Sequence, residues 1–158
     1  MESLIQSRST EGFIIRRLEI GDYNKGFCEL LSNLTVVGNL TEETFQGIFN
    51  RINSKPNEYF IIVFEDRVSE KLLAHGTLLV EEKFIHAGGK VGHIEDIVVA
   101  KGCQGRGLGK QLVTLLIDLS KELGCYKVIL DCKEELKGFY ESCGMEQRSI
   151  EMAKYHNS

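Results

Sequence analysis

The amino-acid sequence predicts one mixed α/β domain whose central, mostly antiparallel sheet is flanked by helices. Three observations carry that prediction. Three apolar runs, Tyr59 to Phe64, Leu72 to Val80 and Val91 to Val99, follow one another with only turn-like or charged stretches between them, the pattern of an antiparallel meander. A glycine loop and an amphipathic helix then separate the third run from a short apolar run, Tyr126 to Leu130. Such a strand, helix, strand unit over 91–131 implies a right-handed crossover and locally parallel pairing. Finally, 158 residues with 42% hydrophobic content suffice for one sizeable core and are cramped for two domains.

The elements follow in chain order. Met1 to Glu11 is polar and mixed in charge and reads as a leader ahead of a single domain over residues 12–158; it lacks the apolar centre of a signal peptide. Phe13 to Leu18 mixes β-branched and aromatic residues and predicts a strand, after which Gly21-Asp22 starts a helix over 22–34 with Tyr23, Phe27, Leu30, Leu31 and Leu34 at helical spacing. Thr41 is the expected N-cap of a second helix with Glu42 and Glu43 in its first turn, although threonine at 44 leaves the capping box incomplete. Glu65 to Lys71 and Ala87-Gly88-Gly89-Lys90 are the expected turns of the meander. From Leu108, apolar residues recur at 108, 112, 115, 116, 119 and 123, an amphipathic helix that Gly124 stops. Tyr126 to Leu130 predicts a strand covered on both faces and ending at Asp131. A short helix over Glu134 to Ser142 and a final strand near Met145 to Met152 complete the chain.

Charge and cysteine usage narrow the function classes. A net charge of −4 provides no broad basic surface for nucleic acid, and no stretch approaches a membrane-spanning length, so a cytoplasmic protein is expected. Five cysteines form an odd set without a C-x-x-C pair, which fits reduced thiols and neither a disulfide framework nor a metal site.

The segment Gln104-Gly105-Arg106-Gly107-Leu108-Gly109-Lys110 is the candidate site. Glycines let the backbone turn sharply and approach a ligand, and the helix that follows offers unpaired amides and the positive end of its dipole. A P-loop is excluded because Gln104 stands where its first glycine belongs and Gln111 where Ser or Thr belongs; a dinucleotide fingerprint is excluded by lysine at 110. Three alternating glycines alone fit a plain strand-to-helix turn equally well. Arg106, Lys110 and Gln104 favour an anion, and the residues by themselves lead no further than a pyrophosphate or similar group.

The Gln-x-x-Gly-x-Gly pattern after the fourth strand resembles the acetyl-CoA pyrophosphate loop of the GNAT superfamily of N-acetyltransferases. The block Gly92-His93-Ile94-Glu95-Asp96-Ile97-Val98-Val99, the glycine loop, Gly124-Cys125-Tyr126-Lys127-Val128-Ile129-Leu130-Asp131-Cys132 and Phe139-Tyr140-Glu141-Ser142-Cys143-Gly144 together resemble the glucosamine 6-phosphate N-acetyltransferases within it. Weaker similarity at Arg16-Arg17, Leu34-Thr35 and Lys83 to His86 extends this over most of the chain.

The resemblance implies the GNAT fold, acetyl-CoA as cosubstrate, no metal, and direct attack of an amine in a ternary complex. It assigns the cofactor backbone contacts to Ile97, Val98 and Val99, and the pyrophosphate to Gln104, Gly105, Arg106, Gly107, Leu108, Gly109 and Lys110. It further places Thr35, Lys83, His86, Glu95, Asp96, Tyr126, Lys127, Asp131 and Lys154 at the amino sugar phosphate, Lys154 standing where the family has an arginine. Arg148 is another candidate phosphate contact, and Tyr126 with Lys127 would reach the active site of a homodimeric partner. For catalysis, Asp131, by its side chain or backbone carbonyl, is expected to orient the amine, Glu95 or an ordered water to assist proton removal, and Tyr140 to serve as acid toward the leaving thiolate. Regular alternation sets Glu95 with His93 and Ile97 on one strand face and Asp96 on the other. Cys132 and Cys143 have no catalytic role. Other readings of the same residues are acetylation of a polyamine, aminoglycoside or peptide N-terminus, and a non-catalytic acyl-CoA-binding module.

Overall fold

Five strands pair in chain order, as the meander pattern requires. In the computed structural model, which describes residues 1–156, β1 (Phe13–Arg17), β2 (Tyr59–Asp66), β3 (Leu72–Glu82) and β4 (Lys90–Val99) are successively antiparallel. β5 (Cys125–Ile129) joins β4 in parallel after a crossover through the helix. Among the described residues the α-helical elements around the sheet are α1 (Glu2–Gln6), α2 (Phe27–Leu31), α3 (Glu42–Asn53), the kinked turn α4 (Ile85–Gly88), α5 (Leu108–Glu122) and α6 (Lys137–Ser142).

The predicted amphipathic stripe of α5 is the main contact with one sheet face. Leu108, Leu112, Leu115, Leu116 and Leu119 are all buried against Ile15, Phe60, Ile62 and Leu78, each burial contributing roughly 1.5–3 kcal/mol. Gly124 ends α5 in the left-handed region, as expected of a C-terminal glycine. On the opposite face α2 and α3 pack Phe27, Leu30 and Phe45 over Val63, Leu72 and Val98. Thr41 caps α3 by accepting the Thr44 amide at 3.2 Å.

Four expectations need correction. The helix read over 22–34 is two pieces, a 3-10 turn over Ile20–Lys25 and α2, parted by Gly26 at φ 85°. The division has a cause: Asp22 is fully buried, accepting the Glu19 amide at 2.8 Å and two hydrogen bonds from the Arg16 guanidinium at 2.7 and 2.8 Å. Glu65 closes this network with Arg16 and Lys25, so the residue that opens the charged stretch is an inward-facing end of β2. Secondly, the segment read as a polar leader contains a short helix that packs on the core: α1 buries Ile5 completely, and Met1 and Arg8 pair with Glu122 and Asp118 of α5. Thirdly, β5 is not covered on both faces: among the described residues it is an edge strand, and Tyr126 and Ile129 are 42% and 38% exposed. Fourthly, residues 145–156 carry no strand, and Ile150 and Met152 are 84% and 90% exposed. An apolar strand with no neighbour to bond cannot satisfy its backbone as a sheet within one chain.

Candidate active site

Parallel pairing of β4 and β5 is brief. It runs from Lys90↔Cys125 to His93↔Ile129 and stops, so Glu95–Val99 has β3 alone as a strand neighbour and presents a backbone edge toward the diverging β5. Ile97, Val98 and Val99 lie on this stretch. Immediately beyond it the chain makes a 3-10 turn at Lys101–Cys103 and enters the glycine loop.

Gly105 and Gly107 take φ values of 77° and 79°, conformations that residues with a Cβ rarely adopt. The first intrahelical bond of α5 is donated by Gln111 to Gly107 O at 3.0 Å, leaving the amides of Leu108, Gly109 and Lys110 without helical acceptors. Arg106 and Lys110 are exposed beside them. A side chain at Gly109 would come within 3.4 Å of Phe139 Cζ and 3.6 Å of Val99, so α6 rests directly on this helix start. The residues present therefore fit a phosphorylated cofactor: three free amides, two cations and an adjoining unpaired strand edge.

A cavity of about 320 Å³ opens on the other side of the sheet, beneath α2 and α3. Phe27, Phe45, Phe49 and Leu79 are among its apolar lining, while Glu95 and Asp96 supply the acids and Tyr59, His75 and Thr77 further polar groups. Glu95 and Asp96 both line this wall, against the alternation expected of β4. Between the pairs Thr77↔Glu95 and His75↔Val98, two residues of β4 face one of β3, and Asp96 has φ 53°; this is a β-bulge. The extra residue inverts side-chain parity, so Ile97 points to Leu112 and Leu116 of α5 while Val98 joins the cluster beneath α2.

Residues 24–145 match the acetyltransferase (GNAT) family. The chain belongs to that family. It is 50% identical over 145 residues to glucosamine 6-phosphate N-acetyltransferase of Arabidopsis thaliana, covering 92% of this chain and 97% of the relative. It is 46% identical to the Candida albicans protein of that name, over 90% and 95%. The crystal structure of the Arabidopsis thaliana enzyme superposes with a TM-score of 0.90 over 93% of this chain and all of the other. A Trypanosoma brucei acetyltransferase follows at 0.84 with 33% identity, over 91% and 99%. The GNAT fold implies acetyl-CoA as cosubstrate.

Within this GNAT chain the remaining expected site residues form two groups. Asp131, just past β5, lies close enough to affect both Glu95 and Tyr140. Partial burial, followed by the charges of Asp131 and Asp96, pushes the Glu95 carboxyl up and makes it a better base. Burial, followed by Cys132, Cys143 and Asp131, pushes the Tyr140 phenol up, so it keeps its proton; its ring meets Phe139 edge-on at 5.0 Å.

The second group gathers at the other end of the sheet. His86 stacks on Tyr126 at 4.3 Å, and Lys127 Nζ stands 5.9 Å from that ring. Lys83 pairs with Glu81 at 2.6 Å, and Glu81 also meets His93 at 2.9 Å. Lys127 and Asp131 are four residues apart, roughly 13 Å along extended chain, whereas His93, which shares Glu81 with Lys83, lies near enough to act on Glu95. Thr35 is exposed after α2, and Arg148 and Lys154 are on the exposed C-terminal segment, Arg148 paired with Glu146 at 2.7 Å. His75 and Thr77 were missed by sequence reasoning. The signal was present: an isolated glycine, Gly76, inside an apolar strand marks a bulge or a close approach.

Proposed function

We propose that this chain transfers the acetyl group of acetyl-CoA to the amino group of glucosamine 6-phosphate, giving N-acetylglucosamine 6-phosphate for UDP-N-acetylglucosamine synthesis. The observation that carries this reading is the near full-length likeness to the Arabidopsis thaliana glucosamine 6-phosphate N-acetyltransferase, 50% identical over 97% of its length.

Acetyl-CoA brings the activated acyl group as a thioester. Its pyrophosphate suits the amides of Leu108, Gly109 and Lys110 with Arg106 and the Lys110 ammonium, and its pantetheine arm suits the free edge of Ile97, Val98 and Val99. The amine enters from the acidic wall. Asp131 orients it, Glu95 takes its proton directly or through water, and Tyr140 holds a proton at Oη for the departing sulfur. The raised proton affinities of Glu95 and Tyr140 support these opposite roles.

The separation of Lys127 from Asp131 supports a homodimer in which His86, Tyr126 and Lys127 of one chain serve the partner's acids. The free edge of β5 and the exposed Ile150 and Met152 supply an apolar surface for such pairing. Lys127, Lys154 and Arg148 are the cations offered to the sugar phosphate, a lysine replacing a guanidinium fork at 154. Five free cysteines support a reducing, cytoplasmic setting. Among the described residues no helix is long and apolar enough to cross a membrane.

Thiol release from acetyl-CoA with glucosamine 6-phosphate, glucosamine or spermidine as acceptor tests the reading. Rapid release with the phosphorylated sugar alone is expected. Preference for spermidine would reassign the acceptor, and tight acetyl-CoA binding without release to any amine would make the chain an acyl-CoA-binding module.

A further inference from the structure

Glu95 and Asp96 share the cavity wall only because β4 leaves the regular ladder at Asp96. A residue with a Cβ takes φ 53° uncommonly, and two contacts of β3 favour it at Asp96. The first is Gly76. Opposite the bulge, Ile97 Cδ1 fills the space in which a Cβ at 76 would stand 2.6 Å away. The second is His75, whose Nδ1 lies 3.1 Å from the carbonyl oxygen of Asp96.

A carbonyl oxygen only accepts, so the hydrogen is on Nδ1. Burial pushes the imidazole pKa down and keeps the ring neutral, leaving Nε2 with its lone pair. The ring itself is 3% exposed and pinned edge-on against Phe27 at 5.5 Å, and Phe27 in turn lies edge-on to Phe45 of α3 at 5.0 Å. The bulge carbonyl is thus tied through one imidazole to the helices that roof the cavity.

We propose that His75 is a positioning residue for the acyl acceptor: its Nδ1–H holds the Asp96 carbonyl, and with it the bulge that brings both acidic residues to the cavity wall. The proposal rests on an amine being bound at Glu95 and Asp96. Without the donor, the Asp96 carbonyl loses the partner that draws it out of the ladder, and the two acidic residues lose the bulge that sets them on one wall.

Three variants test this. His75→Asn sets its Nδ2 donor close to where Nδ1 stood, His75→Leu fills the site without a donor, and His75→Phe keeps the aromatic contact with Phe27 without a donor. Steady-state thiol release with glucosamine 6-phosphate, together with thermal midpoints, is read for each. The expected result is a loss of about tenfold or more in kcat/KM for the amine in the Leu and Phe variants, with recovery to within a few-fold in the Asn variant. A packing role alone predicts the reverse order, since leucine suits an apolar cavity better than asparagine. Asn as slow as Leu and Phe, or Leu and Phe as fast as the wild type, would overturn the proposal. If the Leu variant does not fold, the Phe and Asn pair carries the comparison. In the wild type, imidazole nitrogen chemical shifts should show the hydrogen on Nδ1 of His75, and a hydrogen on Nε2 alone would refute the proposal. That measurement needs no turnover, so a wild type inactive toward glucosamine 6-phosphate would count against the acceptor and leave the role of His75 to be decided by the ring.

Discussion

Replacing Asp22 with alanine strips a fully buried carboxylate from the network that joins β1, the 3-10 turn before α2, and β2. Three hydrogen bonds disappear: two from the Arg16 guanidinium, at 2.7 and 2.8 Å, and one from the Glu19 amide at 2.8 Å. Removing one partner of a buried ion pair costs about 3–5 kcal/mol. Arg16 still has Glu65, and its side chain remains 16% exposed, which favours the lower end, about 3 kcal/mol. At about 2–4 °C per kcal/mol for a domain of this size, the thermal midpoint should fall by about 6–12 °C. Differential scanning calorimetry of the two proteins at pH 7 measures it directly. Because the turn leads into Phe27 on the cavity wall, KM for the amine should also rise at a temperature where the variant is fully folded. A midpoint lowered by less than about 2 °C would refute the argument that this carboxylate, and not the intrinsic preference of residues 20–31, sets the break between the turn and α2.

Three other outcomes are expected. Replacing both Arg106 and Lys110 with alanine should weaken acetyl-CoA binding and flatten its salt dependence, because both cations stand at the phosphate-accepting end of α5; an unchanged salt slope in titration calorimetry would remove them from the site. Tyr140→Phe should lower kcat well beyond any change in KM for acetyl-CoA, and equal turnover would eliminate the phenol as proton donor. Burial alone would raise the Glu65 pKa, but hydrogen bonds from Lys25 and Arg16 outweigh it and hold the carboxyl below its ordinary range. A depressed folded pKa gives stability that is present above the unfolded value, about 4.3, and lost as pH falls through the folded one. Urea midpoints should therefore drop more steeply below about pH 4 for the wild type than for Glu65→Gln, and parallel curves would contradict the network.

Legibility in the sequence followed the range of the interactions. The meander, α5 and its glycine stop, and the cap at Thr41 depend on neighbours within a few residues, so periodicity and local chemistry expose them. The glycine loop was readable for the same reason, since its two left-handed glycines and free helix amides occupy six consecutive residues. Where a distant partner intervened, local reading failed. Glu65 looks like the start of a polar turn until Arg16, 49 residues earlier, draws it inward. Ile5 looks incidental in a polar leader until the core covers it completely.

The sequence by itself determined the order of the five strands with α5 between the last two, the glycine-led start of α5, and the residue types that family resemblance gathers around an acetyl donor. Local backbone preferences and hydrophobic period are written residue by residue, so they survive without coordinates. Only the tertiary structure decided that the two acidic residues of β4 line one wall. One extra residue at Asp96, accommodated by Gly76 and received by His75 on the neighbouring strand, inverts the parity of β4 and puts Glu95 and Asp96 on the same wall. A bulge is a property of two paired strands, and neither strand alone records the register in which they meet.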